Sequence, residues 1–221
     1  MIKITGDTHG EVGRILDLDS VMEVGELLIV CGDWGYIFRD DFHEKKLLDE
    51  VETLPWTMAF VDGNHENFSV LNSYPVEEWN GGKIHRIRKN IIHLMRGQVY
   101  EIEGKKFFTF GGAYSVDKPM RRKGISWWKE ELPDDSELVE ANKNLQKAGM
   151  SVDYIITHTL PQVGYELLGI KPDIHEEILS NYLQYVAENV KYTRWYAGHF
   201  HTERDLDKNI SILWFGIMDI K

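Results

Sequence analysis

Within its first 66 residues the chain has a short strand-like stretch at 2–5 and two apolar runs at 27–31 and 56–61, and each ends beside a glycine and a polar residue: Gly6-Asp7, Gly32-Asp33 and Gly63-Asn64. Runs this short and this apolar predict buried strands. Between the first two, apolar residues at Val12, Ile15, Leu16, Leu18 and Val21 predict a helix over 12–21. A second helix is expected over 40–54, stopped by Pro55. Strand, helix, strand, helix, strand at this spacing is the pattern of a parallel sheet with right-handed crossovers. Open sheets of that kind gather their ligands beyond the carboxyl ends of the strands, so the polar residues after each run are site candidates. The densest such stretch is Val61-Asp62-Gly63-Asn64-His65-Glu66. Gly63 lets the backbone turn without a Cβ in the way, and Asn64 and His65 follow side by side. Alone, this run is ordinary turn chemistry. Its weight comes from the other strand ends.

The middle of the chain is less regular. Residues 83–99 are rich in Ile and basic side chains, and 99–102 and 106–110 predict a hairpin turning at Glu103-Gly104-Lys105 and ending at Gly111-Gly112. Residues 118–129 hold Arg121, Arg122 and Lys123, then Trp127 and Trp128, and look like a loop insertion. A helix over 134–148 has Asp134 or Asp135 as its cap and Gly149 as its stop. A strand over 152–157 leads into His158. An amphipathic helix over 172–189 is expected to turn Ile174, Ile178, Leu179, Tyr182, Leu183 and Val186 inward. A strand over 193–197 leads into Gly198-His199-Phe200-His201, and 210–217 reads as a last strand. Without repeat, low-complexity tract or linker, residues 1–221 are expected to form one domain of two sheets with helices outside.

Composition narrows the function. Acidic residues outnumber basic ones 36 to 25, a net charge of −11, whereas nucleic-acid binders cluster Lys and Arg along the phosphates. The one cysteine, Cys31, rules out an internal disulfide and a thiolate metal site, and suits a reducing compartment. No apolar run approaches the roughly 20 residues needed to span a bilayer. Met1 runs straight into a strand with no signal-peptide pattern. The expectation is a soluble, cytoplasmic protein with no membrane partner; its oligomeric state is not legible in the sequence.

The polar residues at strand ends are Asp7, His9, Asp33, Asn64, His65, His158, His199 and His201, five of the nine histidines among them. Oxygen and imidazole donors without thiolate suit borderline divalent ions: Mn²⁺ foremost, with Fe²⁺, Zn²⁺, Co²⁺ or Ni²⁺ as alternatives. A structural zinc site uses about four ligands, and this set is larger, as a two-metal site requires. The other four histidines, His43, His85, His93 and His175, match none of these runs and read as surface or packing residues.

The series Asp7-x-His9, Gly32-Asp33, Gly63-Asn64-His65-Glu66, His158 and Gly198-His199-x-His201 resembles, in order, the five signature blocks of the calcineurin-like metallophosphoesterases. The resemblance implies an α/β fold, a four-layer sandwich of two mixed β-sheets flanked by helices, with two divalent metal ions at one edge. It implies that Asp7, His9 and His201 hold one ion, that Asn64, His158 and His199 hold the other, and that Asp33 bridges them. His65 would not ligate; as general acid it would protonate the leaving group, or else stabilise the developing charge. Two dications about 3.5–4 Å apart share a hydroxide available near neutral pH, which attacks phosphorus in line. With two Asp carboxylates the cluster stays positive enough to bind a phosphate ester in an acidic protein.

One stretch departs from the phosphoprotein phosphatases of this family, which follow the bridging aspartate with an Asp that orients the histidine and an Arg that binds phosphate. Here the stretch is Asp33-Trp34-Gly35-Tyr36-Ile37, with Tyr36 in place of that Asp. Arg39 and Asp40 are candidate replacements. Asn64, Arg39, Arg121 and Arg122 are candidates for holding substrate. The expected function is hydrolysis of phosphomonoesters, phosphoserine or phosphothreonine in proteins among them. A nucleotide phosphodiesterase is the second reading and a nuclease the third. A non-catalytic phosphate-binding module is the alternative from another class.

Overall fold

The computed structural model describes residues 1–220. The early strands and helices lie where the apolar pattern puts them: β1 (Ile2–Thr5), α1 (Val12–Asp19), β2 (Leu27–Val30), α2 (Phe42–Glu52) and β3 (Thr57–Phe60). Then come α3 (Phe68–Leu71), β4 (Val76–Trp79), β5 (Gly82–Arg88), β6 (Ile91–Leu94), β7 (Gln98–Ile102) and β8 (Lys105–Phe110). The remainder is α4 (Asp135–Lys147), β9 (Tyr154–Thr157), α5 (Gln162–Leu168), α6 (Glu177–Asn189), β10 (Arg194–Ala197), β11 (Arg204–Asp205), β12 (Ile210–Ile212) and β13 (Ile217–Ile220).

Two mixed sheets result. The first has seven strands in the order β13-β1-β2-β3-β6-β5-β4, and the second six in the order β11-β12-β10-β9-β8-β7. The inner strands β1, β2, β3 and β6 run parallel, as do β8, β9, β10 and β12, while antiparallel strands close the edges. Alternation along the strands divides the apolar side chains between layers. Ile29, Ala59, Ile156 and Tyr196 point into the layer between the sheets. Leu28, Val30, Met58 and Phe60 point outward against Leu18 of α1, Leu48 of α2 and Leu71 of α3. Ile155, Trp195 and Ala197 pack on the other side against Leu145 of α4 and Leu179 and Leu183 of α6. This is the expected four-layer sandwich. Among the described residues, no helix is long and apolar enough to cross a membrane.

Three expectations need correction. The stretch 210–217 is not one strand: β12 belongs to the second sheet and β13 pairs antiparallel with β1 in the first. Residues between them cross from sheet to sheet, tied by Thr5 Oγ1 donating to the Gly216 carbonyl (2.9 Å) and Arg14 Nη2 to the Phe215 carbonyl (2.6 Å). The helix expected from 172 begins at Glu177. The buried Glu176 carboxylate accepts from the Tyr165 hydroxyl at 2.8 Å and holds the preceding turn apart from the helix, so Ile174 and Ile178 face outward, 73% and 67% exposed. The Ile-rich region before the hairpin is two strands, β5 and β6, and the edge strand β4 was hidden by its charged residues, Glu77 and Glu78. The short helix α5 lacked a legible period. Residues 118–129 lie in the long connection between β8 and α4, which is anchored: Trp128 is buried in the core, and its Nε1 donates to Ser69 Oγ at 2.8 Å. Trp34 is likewise a core aromatic, stacked on Phe60 with centroids 4.2 Å apart.

Candidate metal centre

Five strands deliver the candidate residues: β1 ends before Asp7 and His9, β2 before Asp33, β3 before Asn64 and His65, β9 before His158, and β10 before His199 and His201. The first three belong to one sheet and the last two to the other, so the residues meet where the carboxyl ends of both sheets come together. Four of the eight residues, His9, Asp33, His199 and His201, sit at positive φ, between 45° and 69°. Non-glycine residues accept that strain only where surrounding contacts impose it. Gly63 and Gly198 allow the loops to close on one another: a Cβ on Gly63 would overlap Asp33, and one on Gly198 would overlap Asp7 and the Cys31 carbonyl.

Ligand-type atoms converge in two groups, Asp7 with His9 and His201, and Asp7 with Asp33 and His158, each within 4.8 Å. His9 Nε2 and His201 Nε2 are 2.8 Å apart, and His201 Nε2 is 3.2 Å from Asp7 Oδ2. At most one proton lies between the two imidazole nitrogens, so at least one presents a lone pair there. On the other side His158 Nε2 is 3.1 Å from Asn64 Oδ1 and 3.4 Å from Asp33 Oδ1. His158 Nδ1 donates to the Cys31 carbonyl at 2.8 Å, which turns Nε2 toward the site; burial alone would lower its pKa, but the Asp33 and Asp7 carboxylates push it up to about 10, so the ring carries a proton that an ion would displace. Asp33 reaches both groups, with its Oδ2 3.9 Å from His9 Nδ1. The His199 ring lies edge-on to His158 at 4.8 Å, and its backbone N–H donates to Asp7 Oδ1 at 2.9 Å. This donor set fits a pair of divalent ions: buried carboxylate and amide oxygens with imidazoles, arranged as two groups that share Asp7.

Burial alone would raise the Asp33 and Asp7 carboxyl pKa values, yet neighbouring imidazoles hold both below the usual range, that is, as carboxylates. Burial and the His158 charge push His199 down to about 3, so it is a neutral donor. His65 is also lowered, by burial first; Asp33 opposes this, and Arg121, His9 and His158 add to it.

His65 stands beside the two groups. Its backbone N–H donates to Asp33 Oδ1 at 2.7 Å, and its ring meets His9 edge-on at 5.4 Å. Arg121 Nη2 lies 2.8 Å from its Nε2 and 3.0 Å from its Nδ1, and Asp117 steadies Arg121 through Nε at 2.8 Å. So where Tyr36 replaces the expected aspartate, an arginine from a distant loop faces His65 instead. Tyr36 itself is buried, donating to the Glu11 carbonyl at 2.8 Å. Arg39 lines a cleft shared with His9 and His65. Asp40 pairs with Lys45 at 2.9 Å, and Arg122 is exposed, bonded within its own turn. His43 and His175 are exposed, while His85 and His93 are buried and stacked on one another.

Two residues at the site have roles that their sequence context does not show: Ser115, and Glu66 within its own block. Ser115 Oγ accepts from Asn64 Nδ2 at 3.0 Å, which turns the Asn64 amide oxygen toward His158. Glu66 is fully buried and accepts the backbone N–H groups of Trp34 (2.7 Å) and Gly35 (3.3 Å), fixing the loop after Asp33. The signal for Ser115 was present: it follows β8 and Gly111-Gly112, the same strand-then-glycine pattern as the other blocks.

The family model described as calcineurin-like phosphoesterase matches residues 1–203. No curated protein matches the sequence. Among solved structures, a Staphylococcus aureus chain described as a candidate 5′-nucleotidase, in complex with alpha-ketoglutarate, superposes with a TM-score of 0.50 at 12% identity. The match covers 96% of this chain and 48% of that one, so this chain spans about half the length of that neighbour, and the likeness is one of fold.

Proposed function

The chain belongs to the calcineurin-like phosphoesterases, metal-dependent hydrolases of phosphate esters, and from that premise we propose that it hydrolyses phosphomonoesters at a dinuclear centre. The carrying observation is that Asp7 is common to the two convergent groups of ligand atoms, and that Asp33 of the second lies 3.9 Å from His9 of the first. Asp7, His9 and His201 would hold one ion, Asn64, His158 and His199 the other, and Asp33 would bridge. When bound, the ions supply an activated water as nucleophile and offset phosphoryl charge. Asp33 and Asp7 stay ionised to hold them. Ser115 keeps the Asn64 amide oxygen turned inward. His65 protonates the departing alkoxide as the P–O bond breaks, and Arg121, braced by Asp117, draws the phosphoryl oxygens toward that histidine. Water's oxygen ends in inorganic phosphate and a proton ends on the alcohol. Mn²⁺ is the proposed metal, on donor chemistry. A cytoplasmic setting is proposed from the lone buried thiol of Cys31. Phosphoprotein and nucleotide monoesters are both within this reading.

The test is hydrolysis of p-nitrophenyl phosphate against bis-p-nitrophenyl phosphate by protein carrying two Mn²⁺ per chain. Faster monoester turnover supports the reading. Faster diester turnover replaces it with a phosphodiesterase, and activity on neither leaves a phosphate-binding module.

A further inference from the structure

A cleft of about 450 Å³ opens directly beside His9 and His65, between the segment after Asp33 and helix α2. Val12, Phe38 and Leu47 give it apolar walls. Its charged lining is one guanidinium, Arg39, against two carboxylates, Asp41 and Glu44. Both carboxylates are engaged with backbone: Asp41 Oδ1 accepts from the His43 and Glu44 N–H groups at 2.9 Å, and Glu44 accepts from those of Phe38, Arg39 and Asp40 at 2.6–3.1 Å. They remain negative, so the cleft repels a second anion rather than welcoming one. Among the described residues, the Arg39 guanidinium and the His43 imidazole make no hydrogen bond within the chain. They are polar groups left over at the rim of an apolar hollow, the usual make-up of a small-molecule subsite.

An ester whose phosphorus sits between the metal ligands must send its alcohol toward the group that protonates it, and that group borders this cleft. We propose that the cleft receives the alcohol half of the substrate, and that this alcohol is uncharged and ring-bearing, as a nucleoside or aryl alcohol is. The ring packs against Phe38 and Leu47, while its hydroxyl or carbonyl groups meet Arg39 and His43. The proposal rests on the phosphomonoesterase reading and narrows it, placing phosphoserine peptides and phosphorylated sugar phosphates behind nucleoside monophosphates.

With Mn²⁺-loaded protein, kcat/KM for a nucleoside monophosphate should exceed that for glycerol phosphate and for a phosphoserine peptide by about tenfold or more, the discrimination expected of an apolar pocket. The free nucleoside should compete with p-nitrophenyl phosphate, and glycerol should not. Leu47→Glu should lower kcat/KM for the nucleoside ester about tenfold more than for glycerol phosphate. Phe38→Ala, which adds no charge, should change the ratio in the same direction. Equal losses on the two esters, or a wild-type preference for glycerol phosphate or the peptide, would overturn the cleft assignment and leave the phosphomonoesterase reading standing. Hydrolysis of no ester at all would overturn both.

Discussion

Replacing Arg96 by methionine should remove about 3–5 kcal/mol of folding free energy at pH 7, the loss expected when one partner of a buried ion pair is deleted. The Arg96 side chain is 3% exposed and donates to Asp62 Oδ2 from Nε at 2.9 Å and from Nη2 at 2.5 Å. It also donates to the Glu130 carbonyl at 2.7 Å and reaches Glu137 at 3.2 Å. Methionine fills much of the same space and replaces none of these donors. Asp62, 1% exposed, would keep only His93 Nε2 at 3.1 Å. Hydrogen bonds to charged groups contribute about 1.5–3 kcal/mol each, and the stranded carboxylate adds its own desolvation penalty, so the upper half of the range is expected. The sign with pH follows. Burial raises the Asp62 pKa, but Arg96 and His93 overcome this and hold it well below the usual carboxylate value. A depressed folded pKa gives stability that is complete above about pH 4 and fades as pH falls through the folded value. The gap between wild type and Arg96→Met should therefore be full at pH 7 and narrow toward pH 3, where the variant's Asp62 can take a proton. Urea unfolding followed by circular dichroism, in chelator so that metal linkage does not contribute, measures it. The companion Asp62→Leu with Arg96→Met, which removes both charges, should recover part of the loss. A deficit under about 1 kcal/mol at pH 7 would refute the reasoning, because no buried ion pair breaks that cheaply.

Three further outcomes are expected. His65→Ala should keep its two ions and lose about 10²–10⁴-fold in turnover; a fall in metal content by elemental analysis would make His65 a ligand instead. Gly63→Ala should lose metal while β3 still folds, since its Cβ displaces Asp33; native ion stoichiometry in the purified variant would contradict the close approach. Ser115→Ala should weaken one of the two ions selectively in a calorimetric titration, by about 1–3 kcal/mol for the stranded Asn64 amide. Equal weakening of both ions would mean a general loosening, and Ser115→Thr should restore the affinity.

The architecture could be read because its period is local. Residues 27–31 are apolar throughout and 56–61 apolar but for Thr57, since a parallel strand is covered on both faces, and β2 and β3 lie within them. The failures share a cause. In β4 the charges of an edge strand mask its pairing, and at 210–217 a single apolar run serves two sheets. Whether Ile174 faces in or out depended on the buried bond from Tyr165 to Glu176, eleven positions apart in the chain.

The same division runs through the site. Most ligand-type residues are announced by their own few neighbours, a strand and then a glycine, and His158 by its strand alone, so the sequence by itself determined the donor chemistry and the number of blocks that supply it. Arg121 beside His65, Ser115 behind Asn64 and the cleft along α2 are contacts between segments up to 56 positions apart. No local pattern encodes such a distance, because it is set by how two sheets and their loops pack. Only the tertiary structure decided which arginine faces the histidine and which side chains line the hollow beside it.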